Sequence, residues 1–246
     1  MWEDILIYVA VGFAAQMVDG AIGMAYGVTS SSVLLSLGVT PATTSACVHA
    51  AETFTTAASG ISHWRFGNID FKLVRRLAVP GMLGGALGAY VLSNIDGSVI
   101  KPFISSYLLL IGIYILFRAV RERPAVSTPR HVGWLGLFGG FVDSVGGGGW
   151  GPIVTTSLIS QGATPRYVIG SVNLTEFFVT MTISATFLLT IGLELFPIIT
   201  GLILGGILAA PLAALAARHL PDKTMMVMVG SVIIILSLRT LIQSLH

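Results

Sequence analysis

An apolar block, broken by one aspartate and a cluster of glycines, occurs twice in this 246-residue chain. The first copy spans residues 12–27 around Asp19, and the second spans residues 136–151 around Asp143. At the same offset and without a gap, further positions match: Gly38 with Gly162, Thr40-Pro41 with Thr164-Pro165, and Glu52 with Glu176. Paired apolar segments that glycines interrupt at matching places in two halves are typical of transporters, in which they form the binding site.

Composition excludes a soluble globular protein. A soluble domain carries about a quarter charged residues, whereas this chain has 10% charged and 54% hydrophobic residues and a mean hydropathy of +0.88. Its apolar stretches are continuous and do not alternate with polar residues, which excludes a membrane β-barrel. We therefore predict an all-α polytopic membrane protein.

Four apolar segments in each half have the length of membrane-spanning helices, which need about 20 residues to cross ~30 Å of hydrocarbon. They are residues 5–37, 42–62, 73–93 and 99–118, then 132–161, 166–192, 195–217 and 223–243. The first segment of each half is broken at its aspartate and glycines. We interpret each as two short arms, roughly 5–18 with 22–37 and 132–143 with 150–161. Each pair forms either a re-entrant helical hairpin or two short helices that each cross a thinned membrane.

Both kinds of paired arms return the chain to the side it entered from, so each half makes an odd number of crossings and the halves are inverted. One face then collects most basic residues: Arg65, Lys72, Arg75, Arg76, Arg118, Arg121, Arg123, Arg130, Arg166, Arg218 and Lys223. The positive-inside rule makes this face cytoplasmic. We predict a single membrane domain with one repeat at 1–120, a basic cytoplasmic linker at 121–131 and an inverted repeat at 132–246. Each repeat has a Gly-broken hairpin and three transmembrane helices.

Several other classes of protein and site lack support in the sequence. No basic stripe with interleaved aromatic residues indicates nucleic-acid binding, and the lone Cys47 excludes an intrachain disulfide. No His-Glu-x-x-His motif indicates a metal site, and no motif calls for a cofactor. The acidic N-terminus, residues 1–4, is unlike a basic signal peptide, so we expect the first apolar segment to belong to the mature fold.

The two aspartates allow a functional and a structural interpretation. An ionised side chain deep in the bilayer costs at least ~2.5–3.5 kcal/mol on insertion scales, so it is rarely kept without a function. Alternatively, Asp19 and Asp143 cap the helical arms that follow them. A capped arm still directs backbone N–H groups and the positive end of its dipole at the gap between the arms.

The glycine clusters allow two interpretations as well. Small residues permit close packing of membrane helices, but the four consecutive glycines 146–149 predict unwound backbone, which membrane proteins tolerate only where it is buried or lines a cavity. We predict an anion-binding nest of amides there. Hydroxyl groups near the gap are candidate donors to an oxyanion, although such groups often bond their own backbone. Tyr26 and Trp150 either wall the cavity or fill the core.

A second duplicated pair of polar residues is His49 with Glu52, matched by Asn173 with Glu176. The i, i+3 spacing puts each pair on one face of a helix. These side chains either act in transport or hold helices together through polar contacts. The two glutamates must be paired or protonated to stay buried.

These patterns yield two sets of candidate residues. The candidate substrate-binding residues are Gly20, Gly23, Tyr26, Gly27, Thr29, Ser30, His49, Ser144, Gly147, Gly148, Gly149, Trp150, Thr155 and Asn173. The candidate residues for proton or ion coupling are Asp19, Glu52, Asp143 and Glu176.

On these motifs the chain resembles the sulfite exporter family of the TauE/SafE type over nearly its whole length. The resemblance rests on the duplicated block, Gly38-Val-Thr-Pro41, Gly162-Ala-Thr-Pro165, Gly67-Asn-Ile-Asp70 and the glycine-rich segment 80–88. It implies a secondary transporter that moves sulfite or an organosulfonate, such as sulfoacetate, across a prokaryotic inner membrane.

Three functions follow from these observations. The first is export of a small sulfur oxyanion by alternating access between the repeats, coupled to H⁺ through the acidic residues. The second is a permease in which the same acids bind a cation such as Na⁺ as substrate or coupling ion. The third, an intramembrane enzyme, lacks the Gly-x-Gly-Asp signature at both aspartates, so we predict no enzymatic activity. Expected partners are a small anion, H⁺ or Na⁺ and the lipid bilayer, and a homodimer is a candidate assembly.

Overall fold

The computed structural model describes residues 5–22, 24–120, 130–192, 196–216 and 222–244, and the regular structure in these ranges is helical. Ten α-helices and one π turn follow one another within these described ranges. They are α1 (Ile5–Ile22), α2 (Tyr26–Ser36), α3 (Pro41–Arg65), α4 (Phe71–Ser93), α5 (Gly97–Ala119), α6 (Val132–Gly146), the π turn (Gly151–Thr155), α7 (Thr156–Ser160), α8 (Pro165–Thr190), α9 (Phe196–Ala216) and α10 (Asp222–Ser244).

The predicted helical segments agree with these bounds to within a few residues, and both predicted breaks are present. The first arms, however, extend further than predicted, since α1 continues to Ile22 and α6 to Gly146. Asp19 and Asp143 therefore lie within the last turns of these helices and not at the breaks. Their side chains reach forward across the break to N–H groups of the arms that follow. Gly23 and residues 121–129 of the predicted linker lie outside the described residues.

The helices have the length and apolar surface of a multi-pass membrane protein. Within the described residues, three segments are long and apolar enough to cross a bilayer: Gly97–Ala119, Tyr167–Thr190 and Met226–Gln243. Helix α5 exposes Phe103, Leu110 and Phe117 by 68%, 65% and 54%. Their seven-residue spacing places them on one side of the helix, and such an apolar stripe is stable against lipid.

The helices pair reciprocally across the two halves of the chain. Helix α1 packs along α9, α6 packs along α4, α5 packs along α10, and α3 packs along α8. Helix α1 is the first helix of the first half, and α6 is the first helix of the second half. Their partners, α9 and α4, are equivalent helices of the opposite halves. The broken segment of each half is therefore supported by a helix of the other half.

Glycines bring the paired helices into backbone contact. A Cβ atom on Gly84 of α4 would overlap the carbonyl oxygen of Leu137 in α6, and one on Gly140 would overlap that of Gly81. In the other pair, a Cβ on Gly205 would overlap the Val9 carbonyl oxygen. The glycine-rich segment of α4 thus has a packing role, as small residues commonly do between membrane helices.

The Gly67–Asp70 segment joins α3 to α4 and docks on α8. Asp70 caps α4 by accepting hydrogen bonds from the Lys72 and Leu73 N–H groups, at 2.9 and 3.3 Å. The Asp70 N–H in turn donates to the Ser171 hydroxyl at 2.8 Å. This motif therefore both begins α4 and positions it against α8.

We predict that Gly140→Ala destabilises the fold, because the new methyl group would meet the backbone of α4. Overpacking of this kind costs about 1–3 kcal/mol, and thermal unfolding of the purified protein in detergent measures the loss. Gly133→Ala on the same helix is the matched control, because its Cβ would lie 3.8 Å from Pro80, in ordinary contact. Equal unfolding temperatures for the two variants would contradict backbone contact between α4 and α6.

Candidate functional site

The two glycine-rich breaks meet in the interior of the protein. A Cβ atom on Gly27 would lie 2.7 Å from the Cα of Gly148, and one on Gly148 would overlap the backbone of Gly27. Gly147 and Gly148 have φ of 68° and 144°, in the region that favours glycine. The two copies of the sequence block thus touch backbone to backbone, as facing parts of one junction.

Each aspartate caps the arm that follows it. Asp19 Oδ1 accepts a hydrogen bond from the Tyr26 N–H at 3.3 Å, and Asp143 Oδ1 accepts one from the Trp150 N–H at 2.9 Å. Both bonds span seven residues, so the two copies use the same device. The capping interpretation is confirmed, and it brings both carboxyl groups to the junction.

Asp143 also contacts a histidine from the other half of the chain. His49 Nε2 lies 3.2 Å from Asp143 Oδ2. The histidine is 0% exposed and the aspartate 1% exposed. His49 Nδ1 lies 2.7 Å from the carbonyl oxygen of Ser45, one helical turn earlier, and 3.1 Å from its hydroxyl. A buried imidazole and carboxyl group therefore join α3 to α6.

Two serines add hydrogen bonds between these helices at the end of α6. The Ser45 hydroxyl donates to the Ser144 carbonyl oxygen, and the Ser31 hydroxyl donates to the Gly147 carbonyl oxygen. Both acceptors lie at the end of α6. Helices α2 and α3 are thus tied to the second break by side chain to backbone bonds, independently of the His49 contact.

The run of glycines is closely packed in this structure. The N–H groups of Gly147 and Gly148 donate to the Asp143 carbonyl oxygen, and the Tyr107 ring fills the space where side chains at Gly146 and Gly149 would lie. These amides already have protein acceptors, so they do not form the predicted anion nest in this conformation. The packing interpretation accounts for this part of the glycine cluster.

The predicted glutamates lie at the same junction. Glu52 is 4% exposed, and it accepts a hydrogen bond from the Gly27 N–H. Its Oε2 atom is buried without a hydrogen-bond partner among the described residues. Glu52 interacts electrostatically with Glu176, Asp143 and Asp19, and Glu176 interacts with both aspartates. Because like charges repel strongly inside a protein, four carboxyl groups at one junction cannot all be ionised at once unless a cation lies among them.

Hydroxyl groups of the second arms divide into two sets. Ser32 and Thr156 donate to the backbone carbonyls four residues earlier, as hydroxyls in membrane helices commonly do. In contrast, the hydroxyls of Thr29, Ser30 and Thr155 are buried and have no partner within the described part of the chain. Buried polar atoms are rarely left unpaired, so water or a ligand is the natural partner for this second set.

The two aromatic residues fill core space. Trp150 is 0% exposed and Tyr26 is 2% exposed. The Trp150 Nε1–H donates to the Val172 carbonyl oxygen at 3.4 Å, and the Tyr26 hydroxyl donates to that of Leu202 at 3.1 Å. Both side chains are thus held by neighbouring helices at the edge of the junction.

Asn173 does not reproduce the contact of His49, its counterpart in the duplicated sequence. Its Nδ2 donates to the Ile169 carbonyl oxygen at 2.9 Å, which parallels the bond from His49 Nδ1 to Ser45. Its Oδ1 accepts from the Ser59 hydroxyl at 3.2 Å.

Two further glycines are among the predicted substrate-binding residues. Gly20 lies in the last turn of α1, and Gly23 lies outside the described residues.

Sequence reasoning missed Ser45 and Tyr107 as site residues. Ser45 precedes His49 by four residues, so the helical period alone placed the two on one face. Tyr107 donates from its hydroxyl to the Gly148 carbonyl oxygen at 3.2 Å. No pattern in α5 distinguishes this tyrosine, because its role depends on a contact between distant segments.

With this geometry established, comparison with known proteins identifies the family. The family model "Sulfite exporter TauE/SafE" matches residues 8–240. The chain belongs to this family. It is also 44% identical over 250 residues to the probable membrane transporter protein YtnM of Bacillus subtilis (strain 168), an alignment covering 98% of this chain and 83% of that protein. No solved structure matches the chain.

Membership of the TauE/SafE family makes the protein a membrane transporter. Its apolar helices make it a multi-pass one. The predicted family and protein class are therefore confirmed. The roles of the individual site residues stay predictions.

We predict that Gly148→Ala destabilises the junction between the two breaks. The new Cβ would overlap the Gly27 backbone, and the positive φ adds strain of about 1–3 kcal/mol. Gly38→Ala is the control, because Gly38 has φ +91° but open space around it, so strain acts there alone. Thermal unfolding in detergent should show the larger loss for Gly148→Ala. A loss no greater than that of Gly38→Ala would contradict contact between the breaks.

Proposed function

We propose that this TauE/SafE family protein is a secondary active transporter that exports a small sulfur oxyanion, sulfite or an organosulfonate such as sulfoacetate, coupled to H⁺. The observation that carries the proposal is the junction itself. Four carboxyl groups, a histidine and unpartnered hydroxyls lie together between two halves of a membrane transporter, where transporters of this kind bind substrate.

Inverted repeats that rock against each other would alternate access to this junction, and several contacts support the inversion. The Arg130 N–H donates to Gln161 Oε1 at 2.7 Å, so the second broken segment returns to the side from which it began. At the start of α8, Ser171 contacts the loop that ends α3. At the other end of α8, Thr190 contacts Ser93 at the end of α4. These contacts support opposite directions for α3 and α8, which are equivalent helices.

The charges at the junction suggest how an anion would be bound. The described residues of the junction include no lysine or arginine, and several amides are already bonded to Asp19, Asp143 or Glu52. A small anion therefore requires the carboxyl groups to carry protons while it is bound. Binding of the anion and binding of protons would then occur together. The free hydroxyls of Thr29, Ser30 and Thr155 would donate hydrogen bonds to its oxygen atoms.

A second candidate is a sodium-coupled or cation-transporting permease. The observation that favours it is the concentration of carboxyl and hydroxyl oxygens, which are the ligands that hard cations prefer. It uses the same junction and the same two halves. Flux measured with and without a sodium gradient distinguishes it from proton coupling.

The remaining predictions concern the setting of the protein. We propose that it lies in the inner membrane of a prokaryote, which the Bacillus relative supports. The basic linker 121–131 would then be cytoplasmic and would join repeats 1–120 and 132–246. Assembly as a homodimer stays a prediction.

Ligand identity is testable by thermal stability. We expect one of sulfite, sulfate, thiosulfate and a small sulfonate to raise the unfolding temperature of the purified protein selectively. A ligand at about 100 times its Kd stabilises the folded state by about 2.7 kcal/mol. If sodium chloride stabilises the protein and none of the sulfur anions does so beyond ionic-strength controls, the cation alternative is favoured and the anion proposal fails.

Transport through the junction is testable with Glu52→Gln. We expect this variant to fold and to insert but to lose most of the flux of sulfite driven by a pH gradient in proteoliposomes, because its side chain no longer titrates. Asp96→Asn is the matched control, since Asp96 is an exposed cap of α5 outside the junction. Wild-type flux and wild-type pH dependence in Glu52→Gln would exclude a coupling role for this residue.

A further inference from the structure

We propose that His49 and Asp143 share a single proton in this conformation, and that this pair is where the coupled proton is bound and released. The proposal rests on the proposed function in one respect, that transport is proton-coupled. Its basis is the hydrogen-bonding geometry around the pair, which limits the places where hydrogen atoms can lie.

The Nδ1 atom of His49 must carry a hydrogen. Its neighbour at 2.7 Å is the Ser45 carbonyl oxygen, which can only accept. Its neighbour at 3.1 Å is the Ser45 hydroxyl, whose own hydrogen is donated to the Ser144 carbonyl oxygen. Both neighbours of Nδ1 are therefore acceptors, and Nδ1–H is the arrangement that satisfies them.

The contact on the other side of the ring then needs one more proton. With hydrogen on Nδ1, a neutral imidazole has only a lone pair at Nε2. An ionised Asp143 also presents only lone pairs at Oδ2, 3.2 Å away, and its Oδ1 already accepts from the Trp150 N–H. The two atoms attract only if a proton lies on Nε2 or on Oδ2. With no proton both are acceptors, and with two protons both are donors.

The titratable groups that surround the pair are acids and tyrosines. Glu52 and Glu176 interact electrostatically with Asp143 from α3 and α8, and so does Tyr107 from α5. Asp19 and Tyr26 complete the set from α1 and α2. The described lysines and arginines of α3, of α6 and of the helices packed against them lie towards the helix ends: Arg65 of α3, Lys72, Arg75 and Arg76 of α4, Lys101 and Arg118 of α5, and Arg166 of α8. His49 is thus the one described basic side chain of the junction.

The two halves of the protein differ in whether they contain a pair that can bind a proton in this way. Asn173 keeps the bond to the carbonyl one turn earlier, as His49 does, but an amide cannot bind or release a proton. Its Oδ1 atom accepts a hydrogen bond from the Ser59 hydroxyl. Asp19 keeps its capping bond to Tyr26. The duplicated sequence has thus placed a proton-binding pair in only one of its two copies.

This pair also connects protonation to helix position. The contact joins α3 to α6, and it is attractive only when one proton is present. Loss of that proton removes the attraction between the helices, so movement of α6 away from α3 and release of the proton favour each other by linkage. A conformation in which the helices separate would release the proton to the side that has become open.

The hydrogen assignment is testable by ¹⁵N NMR of protein labelled at histidine, with no need for a substrate. We expect the His49 signals, identified by their loss in His49→Asn, to show a protonated Nδ1. The Nε2 signal should shift in Asp143→Asn, because the amide donates to Nε2 and removes the shared proton. An unprotonated Nδ1 overturns the proposal. An unprotonated Nε2 together with an ionised Asp143 carboxyl group, read from its ¹³C signal in protein labelled at aspartate, overturns it as well.

The coupling role is testable by sulfite flux in proteoliposomes with an imposed pH gradient. His49→Asn gives the first half the side chain of the second. Whatever the change in its flux without a pH gradient, we expect the flux of this variant to show no acceleration when the pH gradient is imposed. Asp143→Asn should behave in the same way. His63→Asn is the matched control on the same helix, since His63 contacts Asn68 near the end of α3, and it should keep the wild-type response.

The outcomes separate this proposal from the proposed function. A wild-type response to the pH gradient in both His49→Asn and Asp143→Asn overturns the pair as the coupling site. Wild-type sulfite flux that ignores the pH gradient overturns proton coupling and this proposal with it. If wild-type protein moves none of the sulfur anions, the proposed substrate is wrong, and the NMR measurement still decides whether the pair holds one proton.

Discussion

A helix that is broken inside a membrane exposes backbone N–H groups that hydrocarbon cannot satisfy. This constraint explains the position of each aspartate in the duplicated block. The carboxyl groups of Asp19 and Asp143 accept from the first N–H group beyond each break. Because a carboxyl group is costly to expose to lipid, both breaks must be covered by protein, and each half supplies helices that cover the break of the other.

The same constraint places the acids of the TauE/SafE protein where transport chemistry is expected. Caps that face inward bring two carboxyl groups to the junction, and Glu52 and Glu176 bring two more from the central helices. His49 is the basic group that the described residues add to this set, and its counterpart Asn173 is neutral. The two copies of the repeat thus agree in their capping aspartates, and they differ in charge at the position of His49 and Asn173.

Much of the architecture was predictable because it depends on local pattern. Apolar runs of sufficient length predicted the helices, and the duplicated Asp-Gly block predicted both breaks. The predicted anion nest is not formed in this structure, since the N–H groups of Gly147 and Gly148 are bonded to the Asp143 carbonyl oxygen. Whether an amide is free depends on which oxygen lies within about 3 Å of it, and neighbouring residues in the chain do not decide that.

The sequence alone determined the membrane class, the helical segments and the identity of the four acids, because hydrophobicity and helical period are properties of consecutive residues. Tertiary structure alone decided that Gly27 meets Gly148, that Tyr107 covers the glycines, and that His49 reaches Asp143 while Asn173 turns to Ser59. Contacts between residues far apart in the chain depend on how the helices cross. Those crossings are set by close packing of whole surfaces, which no single motif encodes.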